Sequence, residues 1–166
     1  MKKRIIFLFG IIVFISAIFL TRSTNNSSVK KTNPPTPIPT PSVKQIKIGN
    51  TSINATIADT ESARTRGLTG IDNLPADEGM LFVFESKDVT PSFWMKGMKF
   101  PLDFIWIKGG QVSQIDANIP YPSTDTMDSA IKVYIPTSPV DYVLEVNSGF
   151  SATNNIKVGD TVYLSL

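Results

Sequence analysis

From Val43 onward, apolar residues recur at alternate positions in short runs, several of which end at glycine, proline, asparagine or serine. Ile46 and Ile48 alternate with lysines, and Ile53, Ala55 and Ile57 alternate with Asn54, Thr56 and Ala58. A period of two places one set of side chains on one face of a strand, whereas a helix needs a spacing of three to four. The folded part of the chain is therefore expected to be β.

Further strands are read at Met80–Phe84 (MLFVF), Phe93–Met95, Phe104–Ile107, QVSQI after the Lys108-Gly109-Gly110 turn, Val133–Ile135 and Tyr142–Val146. The unbroken apolar run MLFVF implies burial on both faces. The last eleven residues, IKVGDTVYLSL, suggest two β segments around a Gly159-Asp160 turn. DTESARTRGL carries a capping Asp59 or Thr60, Glu61 in a first turn and a closing Gly67, which together predict one or two helical turns. NSGFSATNN suggests a second short helix, and residues 116–132 a long loop. Some eight short strands punctuated by turns predict a small antiparallel sandwich or barrel-like domain over residues 43–166, with one or two short helices.

Two segments precede this domain. Lys2, Lys3 and Arg4 stand before an unbroken apolar run from Ile5 to Leu20. Residues 1–20 thus read as a transmembrane anchor or signal segment, near the lower limit of about 17–25 residues for a spanning helix. The A-x-A-like site of a cleaved signal does not follow Leu20, which favours an uncleaved anchor, with cleavage and secretion the alternative. The basic cluster orients the N-terminus to the cytoplasm and sends the domain across the membrane. Residues 21–42, TRSTNNSSVKKTNPPTPIPTPS, read as a disordered Pro/Thr/Ser tether.

Residues 1–42 carry six bases and no acid, which leaves 16 − 6 = 10 bases against 14 acids in the domain, a net −4. An acidic domain is a poor partner for nucleic acid. The chain has no cysteine and no histidine. Disulfides, thiolate sites, cysteine nucleophiles and a Ser-His-Asp triad are all excluded, and no cofactor is implied.

Four segments, ARTRGLTG (63–70), GMLFVF (79–84), FWMKGMKFPLDFIWI (93–107), and YVLEVNSGF with IKVGDTV (142–150 and 156–162), together resemble DUF192, also called UPF0127. The resemblance implies a small, mainly β, sandwich-like domain in a family whose members often carry an export segment. It brings no established enzymatic activity.

The candidate site residues cluster in FWMKGMKFPLDFIWI. Gly97 and Pro101 break the strand ladder there, so residues 96–103 read as a bend with Lys96 and Asp103 at its two ends. Asp103 lies among apolar residues, where a buried carboxylate needs partners, and Lys96 and Arg66 are the expected cations. The same residues allow a polar pocket floored by Trp94 and walled by Arg66, Lys96 and Asp103. Arg64 reads as part of a solvated helix face. Glu145, set opposite its apolar neighbours, reads as solvent-facing.

Three function classes follow. The first is non-catalytic binding of a small ligand or cell-envelope partner by a membrane-tethered extracytoplasmic domain, using Arg66, Trp94, Lys96 and Asp103. The second is a hydrolase of envelope glycans with Asp103 and Glu145 as a carboxylate pair. The third is soft-metal binding, with copper held by the thioethers of Met80, Met95 and Met98.

Overall fold

The computed structural model describes residues 41–166. The expected anchor at 1–20 and nearly all of the expected tether at 21–42 lie outside the described residues. Within them, no helix is long and apolar enough to cross a membrane.

The hairpin of β1 (Val43–Ile48) and β2 (Thr51–Ala58) forms as the alternation requires, with Ile46 directly opposite Ile53. Helix α1 (Glu61–Arg66) follows, its N-terminus capped by the Thr60 side chain, which accepts from Ala63 N at 3.1 Å. Gly67 ends it with a positive φ of 51°. This helical crossover lets β3 (Glu78–Val83) run parallel to β2. The expectation of a purely antiparallel domain is corrected at this pair.

The remaining elements are β4 (Phe93–Trp94), β5 (Leu102–Lys108), β6 (Gln111–Ile119), β7 (Val133–Tyr134), β8 (Tyr142–Asn147), helix α2 (Phe150–Thr153) and β9 (Val162–Leu164). One seven-stranded sheet has the order β6-β5-β8-β3-β2-β1-β9, and β4 with β7 makes a separate two-stranded ribbon. The fold is mainly β with two short helices, as expected. Seven of the nine described strands form one curled sheet, a half-barrel, in place of two packed sheets. The curl brings the sheet's two ends together: Val112 N donates to Asp160 O at 2.9 Å and Val162 N to Gly110 O at 2.8 Å. Of the two β segments expected after residue 155, only Val162–Leu164 is a strand. Residues 156–161 turn back onto the β5–β6 hairpin.

Apolar side chains pack on both faces of this sheet. One core draws on all seven strands, including Ile46, Ile53, Leu81, Ile105, Leu144, Val112 and Val162, and therefore fills the concave side. A second core covers the other face of the central strands, where Phe82, Phe104, Trp106 and Val143 meet Leu68, Met95, Met98 and Val140. Phe93 anchors it by edge-on ring contacts with Phe82, Phe104 and Trp106, at centroid separations of 4.8, 5.6 and 5.7 Å. This explains why MLFVF and LDFIWI are continuous apolar runs: β3 and β5 are buried on both faces.

Candidate functional site

Helix α1, the turn after it, β4, the end of β3 and Glu145 of β8 line an open cavity of about 380 Å³. Arg66, Trp94 and Lys96, nominated from the sequence, all line it. Trp94 is 48% exposed and stands opposite Val133 on the β4–β7 ribbon. The Lys96 ammonium lies 5.2 Å from the centre of the Trp94 ring and pairs with Asp128. Arg66 is exposed and forms no ion pair among the described residues. Thr69 Oγ1 donates to Lys96 O at 3.3 Å and so ties the turn after α1 to the Lys96 loop.

The cavity's acid is Glu145. It stands directly opposite Met80 on β3 and Phe104 on β5, and only 5% of it is exposed. Its Oε2 is buried without a hydrogen-bond partner. Burial pushes its carboxyl up to about 8, so the group carries a proton at neutral pH. The expectation that Glu145 faces solvent is corrected. It rested on one buried face for β8, whereas the second core buries the other face as well.

Asp103 does not belong to this cavity. It is fully buried, as expected, but its partners are neither Lys96 nor Arg66. Its Oδ1 accepts from Asn118 N at 2.8 Å and Gly149 N at 3.0 Å, and its Oδ2 from Ser151 N at 3.0 Å. Asn118 and Ala117 together face Asp103 where the β5–β6 register shifts, and Asn118 takes a φ of 54°. Gly149 precedes α2 and has no side chain with which to cap it. The Asp103 carboxylate, from a neighbouring strand, therefore supplies the acceptor that the helix's free N–H groups need.

The carboxylate-pair arrangement is not present. Asp103 pairs with Val146 in the β5–β8 register and Glu145 with Phe104, so the two acids point to opposite faces of the sheet. Met80, Met95 and Met98 are all buried in the second core, yet Met98 alone of the three lines the cavity. Arg64, expected on a solvated face, instead donates to Asp59 O at 2.7 Å and Val83 O at 2.9 Å and ties α1 to the end of β3.

The family model DUF192, described as "Uncharacterized ACR", matches residues 43–164. The chain belongs to this family. Solved structures resemble it, among them two that match over 77% of this chain. A protein of unknown function from Novosphingobium aromaticivorans DSM 12444 is 27% identical, with a TM-score of 0.66 over 77% of this chain and 89% of that one. A Sinorhizobium meliloti 1021 protein, provisionally described as a transcription regulator, is 24% identical, with a TM-score of 0.66 over 77% of this chain and 98% of that one. At that identity the second likeness concerns the fold alone. No protein of curated function matches the chain. Membership of DUF192 thus accounts for the half-barrel and leaves the cavity's occupant to be argued from its chemistry.

Proposed function

We propose that this DUF192 domain binds a small ligand in the cavity between α1 and β4 without chemically altering it. The observation that carries this reading is Glu145, a buried carboxyl without a partner in the wall of a cavity. Buried polar groups are nearly always hydrogen-bonded, and leaving one unmatched costs about 1–3 kcal/mol. A molecule in the cavity that hydrogen-bonds the small exposed part of this carboxyl offsets some of that cost. The cavity's 380 Å³ falls near the small end of ligand pockets, and its aromatic walls with a few polar groups fit such a site. A binding role also accords with a second acid held on the other face of the sheet, out of reach of the first.

The domain is further proposed to act outside the cytoplasm on a membrane tether, on the strength of Lys2, Lys3 and Arg4 ahead of the Ile5–Leu20 run and the proline-rich segment after it. Native mass spectrometry of the full chain, extracted from membranes in mild detergent, tests both parts. The expected result is an intact N-terminus and a small-molecule adduct that Glu145→Leu abolishes. A protein without adduct in either form overturns the ligand reading. A soluble product starting near residues 20–25 overturns the tether.

A further inference from the structure

Three bases and one acid line this cavity, in a domain whose net charge is −4. Arg64 is engaged by Asp59 O, Val83 O and Glu85, and Lys96 by Asp128. Arg66 forms no ion pair among the described residues and can receive a charge. A guanidinium at the mouth of a low-dielectric cavity selects anions, and its planar fork suits a carboxylate. Phe82, Phe93 and Met98 also line the cavity and suit an apolar or aromatic body.

Glu145 then decides when an anion enters. Its neighbours across β3 and β5 are Met80 and Phe104, neither of which titrates, and α2 is on the other side of the sheet with Asp103. The charged groups that share its cavity are Arg64 and Arg66 from α1 and Lys96 from the segment after β4. None of them forms an ion pair with it. A neutral carboxyl there donates one hydrogen bond to an acceptor. An ionised one repels it.

We propose that the cavity takes a small monoanion with an apolar or aromatic body, and that Glu145 couples its capture to a proton: the anion is held while Glu145 is a neutral acid and expelled when Glu145 ionises. This rests on the reading of the cavity as a ligand site and adds the ligand's charge and a means of release. Burial, which holds the Glu145 carboxyl up to about 8, places the change just above neutral pH.

Three probes of nearly equal shape separate these claims: benzoate, benzamide and benzylamine, titrated calorimetrically into the full chain in detergent. Benzoate is expected to bind tightest at pH 7, benzamide more weakly, and benzylamine least. Benzoate should bind about tenfold more weakly at pH 9 than at pH 7, the ratio of protonated Glu145 at those two values for a midpoint of about 8. At pH 8, titrations in phosphate and Tris should report uptake of about half a proton per benzoate, for the same reason. Glu145→Gln, which keeps a neutral donor of similar shape, should bind benzoate with no change between pH 7 and 9. Arg66→Ala should weaken benzoate about tenfold and leave benzamide within about twofold, the loss of one charge-assisted contact.

Benzamide or benzylamine binding as tightly as benzoate would overturn the anion assignment and leave the cavity as a ligand site. An unchanged affinity from pH 7 to 9 in the wild type with no proton uptake, or the same pH dependence in Glu145→Gln, would overturn the proton coupling alone. Binding of none of the three overturns the ligand reading together with its refinement.

Discussion

Asp103 and Glu145 stand one register step apart on neighbouring strands and face opposite sides of the sheet, one carboxylate in the grip of three backbone N–H groups and the other with an unpartnered oxygen. The first is a structural joint. It fixes the bulge of β6 and the start of α2 to the same strand. The second is left unsatisfied by the fold, beside a cavity. That difference between two buried acids is the reason to assign one to stability and the other to binding.

Asp103→Ala is expected to destabilise the domain by about 3–5 kcal/mol. It strips the acceptor from three N–H groups at a position with no solvent exposure, and hydrogen bonds to a charged group contribute about 1.5–3 kcal/mol each, short of additivity. Asp103→Asn should recover part of this, because its oxygen still accepts at one end while its amide opposes the Ser151 N–H. Lys96→Ala and Arg66→Ala should unfold within about 0.5 kcal/mol of wild type. Urea melts of the four variants check the set, and a large loss in either cation variant would contradict the backbone account of Asp103.

Stability should fall as pH rises from about 5 to 8. Glu145 keeps its proton in the fold up to about 8, while in the unfolded chain it loses it near 4.5. Between those values the folded state binds one more proton than the unfolded state, so raising the pH favours unfolding, by up to about 1.4 kcal/mol per unit. The proton's contribution is complete below the unfolded value and gone above the folded one. Midpoints of urea unfolding measured from pH 5.5 to 9 should decline and then level off in wild type. In Glu145→Gln this component should be missing.

Much of the fold is legible in the sequence. The alternation around Ile46 and Ile53, the Thr60 cap, the closing Gly67 and the double-sided burial of MLFVF are local signals, and local physics settles them. The curl of the sheet is not legible there, since it depends on Val112 meeting Asp160 and Val162 meeting Gly110 between segments far apart in the chain. Trp94 and Lys96 share one motif and Arg66 lies in another, and the structure brings all three to one cavity. The partners of Asp103 differ from those its sequence suggests, because backbone N–H donors leave no trace in side-chain chemistry. The burial of Glu145 escapes its local pattern for a different reason. YVLEV has apolar residues on both sides of its alternation, and an acid inside a strand buried on both faces is a stronger signal than its neighbours' pattern suggests.

Gly97 links the site to α1. Its φ is +72°, which side chains with a Cβ rarely adopt, and a Cβ there would lie 2.8 Å from Thr69 Cγ2. Gly97→Ala should cost about 1–3 kcal/mol through these two effects. Thr69→Ser removes the clashing methyl and keeps the hydroxyl that reaches Lys96 O. The double variant should therefore be less impaired than the sum of the singles, by about 0.5–1 kcal/mol. A double-mutant cycle from thermal or urea melts reads this directly, and strict additivity would mean that the positive φ alone demands the glycine.

Glu145→Leu tests whether the fold tolerates this acid for the sake of its cavity. Leucine approximates the volume of glutamate, and its neighbours Met80 and Phe104 are apolar. Replacing an unpartnered buried polar group by an apolar one of similar shape removes a desolvation cost of about 1–3 kcal/mol. The variant should therefore unfold at higher urea concentration than wild type at pH 7, with an unchanged dependence on denaturant. Residues kept against stability are commonly those that function requires, so this gain should come with loss of binding in the cavity. Equilibrium melts and ligand titrations on the same preparation decide the matter together. If Glu145→Leu is instead destabilised by more than about 2 kcal/mol, the carboxyl has a partner that makes it structural, and the assignment of roles to the two acids falls.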